Sequence, residues 1–161
     1  MVKARPFISS DLDRLFHIDQ ETFPPGIAYS YLELQYYVRN CNCKTIIAED
    51  GAPGVEDAIV GFAIGIWEPP DLGHIITIEV IPHWQRQQIG SLLLENIEKW
   101  LWEKGSLAIY LECSVEDHSA ISFYDKHGYF ILERLEGYYA EECDAFVLMK
   151  TCRADSSLLN R

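Results

Sequence analysis

The chain has 161 residues, 48% of them apolar and 24% charged, the size and balance of one globular domain, which buries enough surface to fold without a disulfide or metal staple. Thirteen Lys and Arg stand against 25 Asp and Glu, a net charge of −12, which repels phosphate backbones and attracts cationic partners. No apolar run approaches the roughly 20 residues of a membrane span, and Met1–Ile8 enters a strand pattern without the apolar stretch of a secretion signal, so a cytoplasmic protein with neither nucleic acid nor membrane as partner is expected.

Val2 to Ile8 reads as a strand. Ser9-Ser10-Asp11 offers cap side chains, and Leu12, Leu15, Phe16 and Ile18 recur at helical spacing, predicting a helix to Thr22 that Phe23-Pro24-Pro25-Gly26 breaks. A shorter helix is predicted over Tyr31–Val38, then a strand at Lys44–Glu49 and a turn over Asp50–Glu56 with Gly51, Pro53 and Gly54. Strands follow at Ile59–Trp67 and His74–Ile81, the second ended by Pro82. Gln88–Glu103 is the longest helix, with Ile89, Leu92, Leu93, Ile97, Trp100 and Leu101 on one stripe and Gly105 as its stop. Leu107–Cys113 is a strand, and Asp117 caps a helix that Gly128 ends. Tyr129–Leu135 and Asp144–Lys150 are the last strands, joined through Glu136-Gly137-Tyr138-Tyr139, with residues 151–161 a flexible tail behind a single domain over 1–150. The order β-α-α-β-β-β-α-β-α-β-β predicts an α+β fold around one sheet.

The five cysteines are scattered, and Cys41 and Cys43 stand too close for an ordinary zinc pair. They read as free thiols, and no metal is expected. The chemistry-bearing stretch begins at Val80. A strand ends there, and after Pro82 the run Gln85-Arg86-Gln87-Gln88-Ile89-Gly90-Ser91 opens the long helix. Such a junction presents backbone N–H groups at the positive end of a helix dipole, an anion cradle suited to a pyrophosphate, with Gly90 permitting close approach.

Val80–Leu94 resembles the acetyl-CoA-binding segment of the GNAT superfamily of N-acetyltransferases, whose Gln/Arg-x-x-Gly-x-Gly/Ala pattern is met by Gln85, Gln88 and Gly90, with Gln88 standing where glycine is usual. Leu111–Tyr129 resembles the strand, helix and Gly-Tyr turn that complete the acetyl-CoA slot. Gly137-Tyr-Tyr-x4-Asp-Ala-x3-Met149 and Glu21-Thr-Phe-Pro24 resemble the protein N-terminal acetyltransferase branch, which includes the ribosomal-protein-alanine enzymes. The resemblance covers roughly residues 3–150 and implies a GNAT-like fold, a mixed, mostly antiparallel sheet of about seven strands with about four helices. Acetyl-CoA is the implied co-substrate.

Carried over by position, the resemblance assigns the pantetheine-pairing strand to Ile78, Glu79 and Val80, the pyrophosphate loop to Arg86, Gln87, Gln88, Ile89, Gly90 and Ser91, and a pantetheine contact to Asp117, where the family has Asn. It places the general base at Glu112 and the general acid at Tyr124. His74 and Glu79, on the strand before the loop and on opposite faces of it, are rival bases. His17, His83, His118 and His127 read as surface residues. Phe23, Pro24, Tyr29, Tyr138 and Tyr139 form an expected aromatic wall for the acceptor. The function implied is acetyl transfer by direct attack of a primary amine, foremost a protein N-terminal α-amine such as that of a ribosomal protein, in a monomer or homodimer. A small-amine acetyltransferase for polyamines or antibiotics, and a non-catalytic acyl-CoA-binding module, are the alternatives.

Overall fold

Among the described residues the β-branched and apolar runs pair as seven strands hydrogen-bonded in the order β1-β2-β3-β4-β5-β7-β6. The computed structural model describes residues 1–51, 58–139 and 143–152; the expected turn beyond Gly51, and the expected tail from residue 153 on, lie outside these residues. The chain divides into two compact units, Met1–Ile66 with Ile75–Trp100, and Trp67–His74 with the described residues from Leu101 on.

The first unit holds β1 (Val2–Pro6), α1 (Leu12–Thr22), α2 (Tyr31–Arg39), β2 (Cys43–Asp50), most of β3 (Ile59–Glu68), the second part of β4 (Leu72–Val80) and most of α3 (Ile89–Glu103). β1 pairs antiparallel with β2, and β2 with β3. Leu12, Leu15 and Ile18 of α1 and Leu34 of α2 bury against Ile47, Ile59, Phe62 and Ile64, the stripe and alternation seen in the sequence. Ser9–Asp11 is itself a 3-10 turn rather than a loose cap. The reason is Asp11, whose carboxylate accepts from the Ile8 N–H at 2.9 Å and from two nitrogens of Arg5 at 2.8 and 3.0 Å. Arg5 also bonds both oxygens of Glu49 at 3.0 Å, fastening the start of α1 to β1 and β2. A reciprocal Ser30–Glu33 capping box starts α2.

The second unit contains β5 (Ala108–Ser114), α4 (His118–Lys126), β6 (Phe130–Tyr139) and β7 (Cys143–Thr151), with the last residues of β3 and the first of β4. Leu72, Gly73 and His74 pair parallel with Ala108, Ile109 and Tyr110, while β5 runs antiparallel to β7 over its whole length. Gly73 has a packing reason: a Cβ there would stand 2.9 Å from Leu101. β6 corrects the expectation that a strand ends at Leu135. It continues to Tyr139, with register shifts between Ile131 and Glu133 and between Leu135 and Tyr139. Gly137 takes φ 60° and donates its N–H to Asp144 at 2.9 Å, and Asp144 also accepts from Arg134 Nε at 2.7 Å. The chain therefore bulges and stays paired where its glycine suggests a stop.

Candidate active site

In the first unit, β4 ends at Val80 and a 3-10 turn over Pro82–Trp84 leads to the exposed residues 85–88 and then α3. Arg86 and Gln88 both lie in the left-handed region, with φ 63° and 64°. For non-glycine residues that conformation costs roughly 1–2 kcal/mol each, so the backbone here is set by its surroundings. Gln85 Nε2 donates to Val80 O at 3.0 Å and Gln87 Nε2 to His83 O at 3.3 Å, bracing the loop. Gln88 O accepts the Leu92 N–H at 3.0 Å, so Gln88 caps α3 and the N–H groups of Ile89, Gly90 and Ser91 form its first turn. Alternating backbone of this kind turns successive N–H groups toward one point, and Arg86 adds an exposed cation. The segment fits a pyrophosphate. Ile89 contributes backbone alone, since its side chain is buried.

The aromatic wall expected from this unit is only partly a surface. Pro24 is exposed and Phe23 half-buried. Tyr29 packs on the core, edge-on to Tyr37, and donates its hydroxyl to Ile76 O at 3.3 Å, which fastens it to β4.

Ile78 and Val80 are half-buried, while Glu79 points to the opposite face at 1% exposure. There it meets Asp19, which is fully buried and was not singled out from the sequence. Thr77 Oγ1 donates to Glu79 Oε1 at 2.9 Å, and Asp19 Oδ2 accepts from the Tyr29 N–H at 2.7 Å and Gln20 Nε2 at 3.1 Å. The other two oxygens, Asp19 Oδ1 and Glu79 Oε2, have no ordinary donor; one proton held between the carboxyls satisfies both. Burial and then the neighbouring Asp19 push Glu79 up to about 9, and burial raises Asp19 as well. The Glu79 carboxyl is thus turned toward Asp19, away from the face that carries Ile78 and Val80, and its burial favours the protonated form.

The same pair makes stability depend on pH. Glu79 is raised from 4.5 to about 9, so the folded chain binds more protons than the unfolded chain across that window. Its contribution is fully present below about 4.5 and is lost as pH rises through about 9, with a slope of up to about 1.4 kcal/mol per pH unit. Glu79→Gln keeps a donor toward Asp19 and removes the titration. Melting temperatures of parent and variant from pH 5 to 9 are expected to diverge, the parent falling faster; parallel curves would mean that Glu79 is ionised in the fold.

In the second unit the β4–β5 ladder sets His74 opposite Tyr110, which shares a strand face with Glu112. His74 Nε2 lies 2.6 Å from Glu112 Oε2, and His74 Nδ1 lies 3.4 Å from Glu68 Oε1. The imidazole stacks on Tyr110 at 4.2 Å with 8° between the rings, and the Tyr110 hydroxyl donates to the same Glu68 oxygen at 2.8 Å. Burial and Glu68 raise the Tyr110 hydroxyl, and burial and Tyr138 raise that of Tyr139, so both stay protonated donors. Tyr139 donates to Glu112 O at 3.5 Å and packs edge-on against the exposed Tyr138 at 4.9 Å. Glu112 and His74, rivals in the sequence, are hydrogen-bonded neighbours here. Glu68 and Tyr110 were missed; only the shared parity of residues 110 and 112 hinted at Tyr110.

Tyr124 is buried on α4, its ring edge-on to Phe123 at 5.0 Å and to Tyr129 at 5.4 Å. Asp117 caps α4, accepting the Ala120 N–H at 2.9 Å, and is exposed beyond that bond. His127 is half-buried rather than a surface residue, because its Nδ1 reaches Phe123 O at 2.7 Å, one helical turn back. Among the described residues no group of three or more His, Cys, Asp or Glu has the geometry to hold a metal ion.

The chain matches the acetyltransferase (GNAT) family over residues 12–129. An N-alpha-acetyltransferase of Saccharolobus solfataricus is 26% identical over 152 residues, 87% of each chain, and the N-alpha-acetyltransferase 50 of Danio rerio is 33% identical over 84 residues, half of each. Among solved structures, NAA60 of Arabidopsis thaliana in complex with a bisubstrate analogue superposes with a TM-score of 0.86 at 19% identity, covering 96% of this chain and 100% of that one. The ribosomal-protein-S18-alanine N-acetyltransferase of Escherichia coli gives 0.82 at 22% identity and 98% of both. The seven-stranded mixed sheet with four α-helices found among the described residues is the fold these structures share with it. With the family matched across most of its length and a cradle that fits a pyrophosphate, the chain belongs to the acetyltransferase (GNAT) family and is an acetyl-CoA-dependent acetyltransferase.

Proposed function

We propose that the acceptor is the α-amine of a protein N-terminus. The observation that carries this reading is Glu112, a half-buried carboxylate hydrogen-bonded to His74, with Tyr139 donating to its own backbone and Tyr138 beside Tyr139. An α-amine, with a pKa near 7.8, is about one-seventh neutral at pH 7, against about one in 2,500 for a lysine amine near 10.4. A single carboxylate acting through water suffices for the first. The relatives named N-alpha-acetyltransferase support the same class.

In this reading acetyl-CoA brings the activated acetyl group. Arg86 and the backbone of Gln87 through Ser91 hold its pyrophosphate, the backbone of Ile78, Glu79 and Val80 pairs with the pantetheine arm, and Asp117 contacts the cofactor. Glu112 takes the proton of the amine, and Tyr124 supplies one to the departing thiolate. Phe23, Pro24, Tyr29, Tyr138 and Tyr139 receive the first residues of the acceptor. The charge of −12 favours an acceptor with basic residues after its N-terminus, as a ribosomal protein would offer in the cytoplasm, and residues 1–150 form the acetyltransferase domain.

Thiol release from acetyl-CoA, followed with short peptides, spermidine and an aminoglycoside, tests this. Peptides with a small first residue and basic residues downstream are expected to show kcat/KM at least about tenfold above either small amine, with KM rising as salt screens the acidic surface. Faster turnover of spermidine or the aminoglycoside than of every peptide would assign the enzyme to small amines.

A further inference from the structure

We propose that His74 is the positioning residue of the base: as its Nε2-protonated tautomer it donates to Glu112 Oε2, fixing that oxygen and leaving Oε1 for the amine. This rests on Glu112 as the base. The tautomer follows from the two contacts of the ring. A neutral imidazole carries one N–H and one lone pair. At 2.6 Å from Glu112 Oε2, Nε2 stands too close for lone pair to face lone pair, so a proton lies between the two atoms, and with Glu112 ionised as the base it is Nε2 that carries it. At 3.4 Å from Glu68 Oε1, Nδ1 sits at a distance that does not require one, and that oxygen already accepts the Tyr110 hydroxyl at 2.8 Å.

The ring is held from a second direction. Tyr110 stacks flat on it and also anchors Glu68, so one side chain fixes both the plane of the imidazole and the carboxylate at its far edge. All of these groups come from three strands of one unit: Glu68 from β3, His74 from β4, and Tyr110 and Glu112 from β5. A carboxylate with one oxygen pinned loses its rotational freedom, and the remaining oxygen is presented in a single orientation. Misplacing a reacting group by about 1 Å costs up to about 10²-fold in rate.

The test uses the full chain with acetyl-CoA and the best peptide acceptor. His74→Leu fills the space without a donor and is expected to lower kcat by about 10- to 100-fold while the KM for acetyl-CoA stays within about twofold. His74→Gln places an amide N–H where Nε2 stands and is expected to recover most of kcat, which a loss of packing alone would not predict. In ¹⁵N-labelled parent protein, the imidazole resonance that His74→Gln removes is expected to show a protonated Nε2 and an unprotonated Nδ1. Full kcat in His74→Leu, or a protonated Nδ1 with a bare Nε2 in the parent, overturns the proposal. Should His74→Leu fail to fold, the tautomer in the parent decides. Glu112→Gln separates this from the reading beneath it: a fully active Glu112→Gln means that Glu112 is not the base, whereas an inactive Glu112→Gln beside a fully active His74→Leu leaves the base in place and removes the positioning role alone.

Discussion

Tyr124→Phe is expected to bind acetyl-CoA as the parent does while kcat falls by about 10²-fold, the scale for losing a positioned general acid. The substitution removes one oxygen and keeps the ring. The edge-on contacts of Tyr124 with Phe123 and Tyr129, and its backbone carbonyl, which accepts the N–H groups of His127 and Tyr129 at 3.0 Å, do not involve that oxygen. Stability should therefore change by no more than about 1 kcal/mol, the net worth of a single hydrogen bond. Full kcat in steady state would leave two explanations, a thiolate that departs unprotonated or a turnover limited by product release. A single-turnover measurement tells them apart, and an unchanged chemical step there would remove Tyr124 from the mechanism.

The second large effect is expected at Gly90. Millimolar acetyl-CoA should raise the melting temperature of the parent by mass action, and Gly90→Glu should abolish that rise. The stability of the variant without ligand moves the other way. Gly90 is the second residue of α3, where an acidic side chain favours the helix dipole by roughly 0.3–1 kcal/mol and replacing glycine adds roughly another 0.5–1 kcal/mol. A variant that melts at or above the parent without ligand, yet ignores acetyl-CoA, shows that the anion was repelled and the fold was not broken. An undiminished thermal shift in Gly90→Glu would place the pyrophosphate elsewhere.

Local signals carried most of the elements. The stripe Leu12–Leu15–Ile18, the stop at Gly105 with φ 92° and the cap at Asp117 were each legible within a few residues. What was not legible depends on register and on partners far along the chain. Glu136–Tyr139 read as a connection because Gly137 is a turn residue; the group that keeps it in a strand, Asp144, arrives seven residues later. His74 and Glu112 are 38 residues apart, and only the parallel pairing of β4 with β5 makes them neighbours. Glu79 read as a rival base because alternation gives a face but not what waits on it, and the buried Asp19 is 60 positions away on α1. Gln88 is the converse case. Its departure from glycine was visible at once, but whether the loop demands a left-handed backbone was a question only the structure answered, with φ 64°.

β6 is the last strand in the hydrogen-bonding order, and Phe130, Ile131 and Leu132 on it are each about half exposed. A flat apolar margin of this sort is a template on which other chains nucleate, and it is where soluble proteins begin to aggregate. The register shift between Ile131 and Glu133 falls inside that apolar run, so the ladder groups along the outer rim are out of step where an incoming strand would find its most adhesive side chains. Charged Glu133, Arg134 and Glu136 follow immediately. An edge that is out of register in this way is a poorer template for an incoming strand than a straight one.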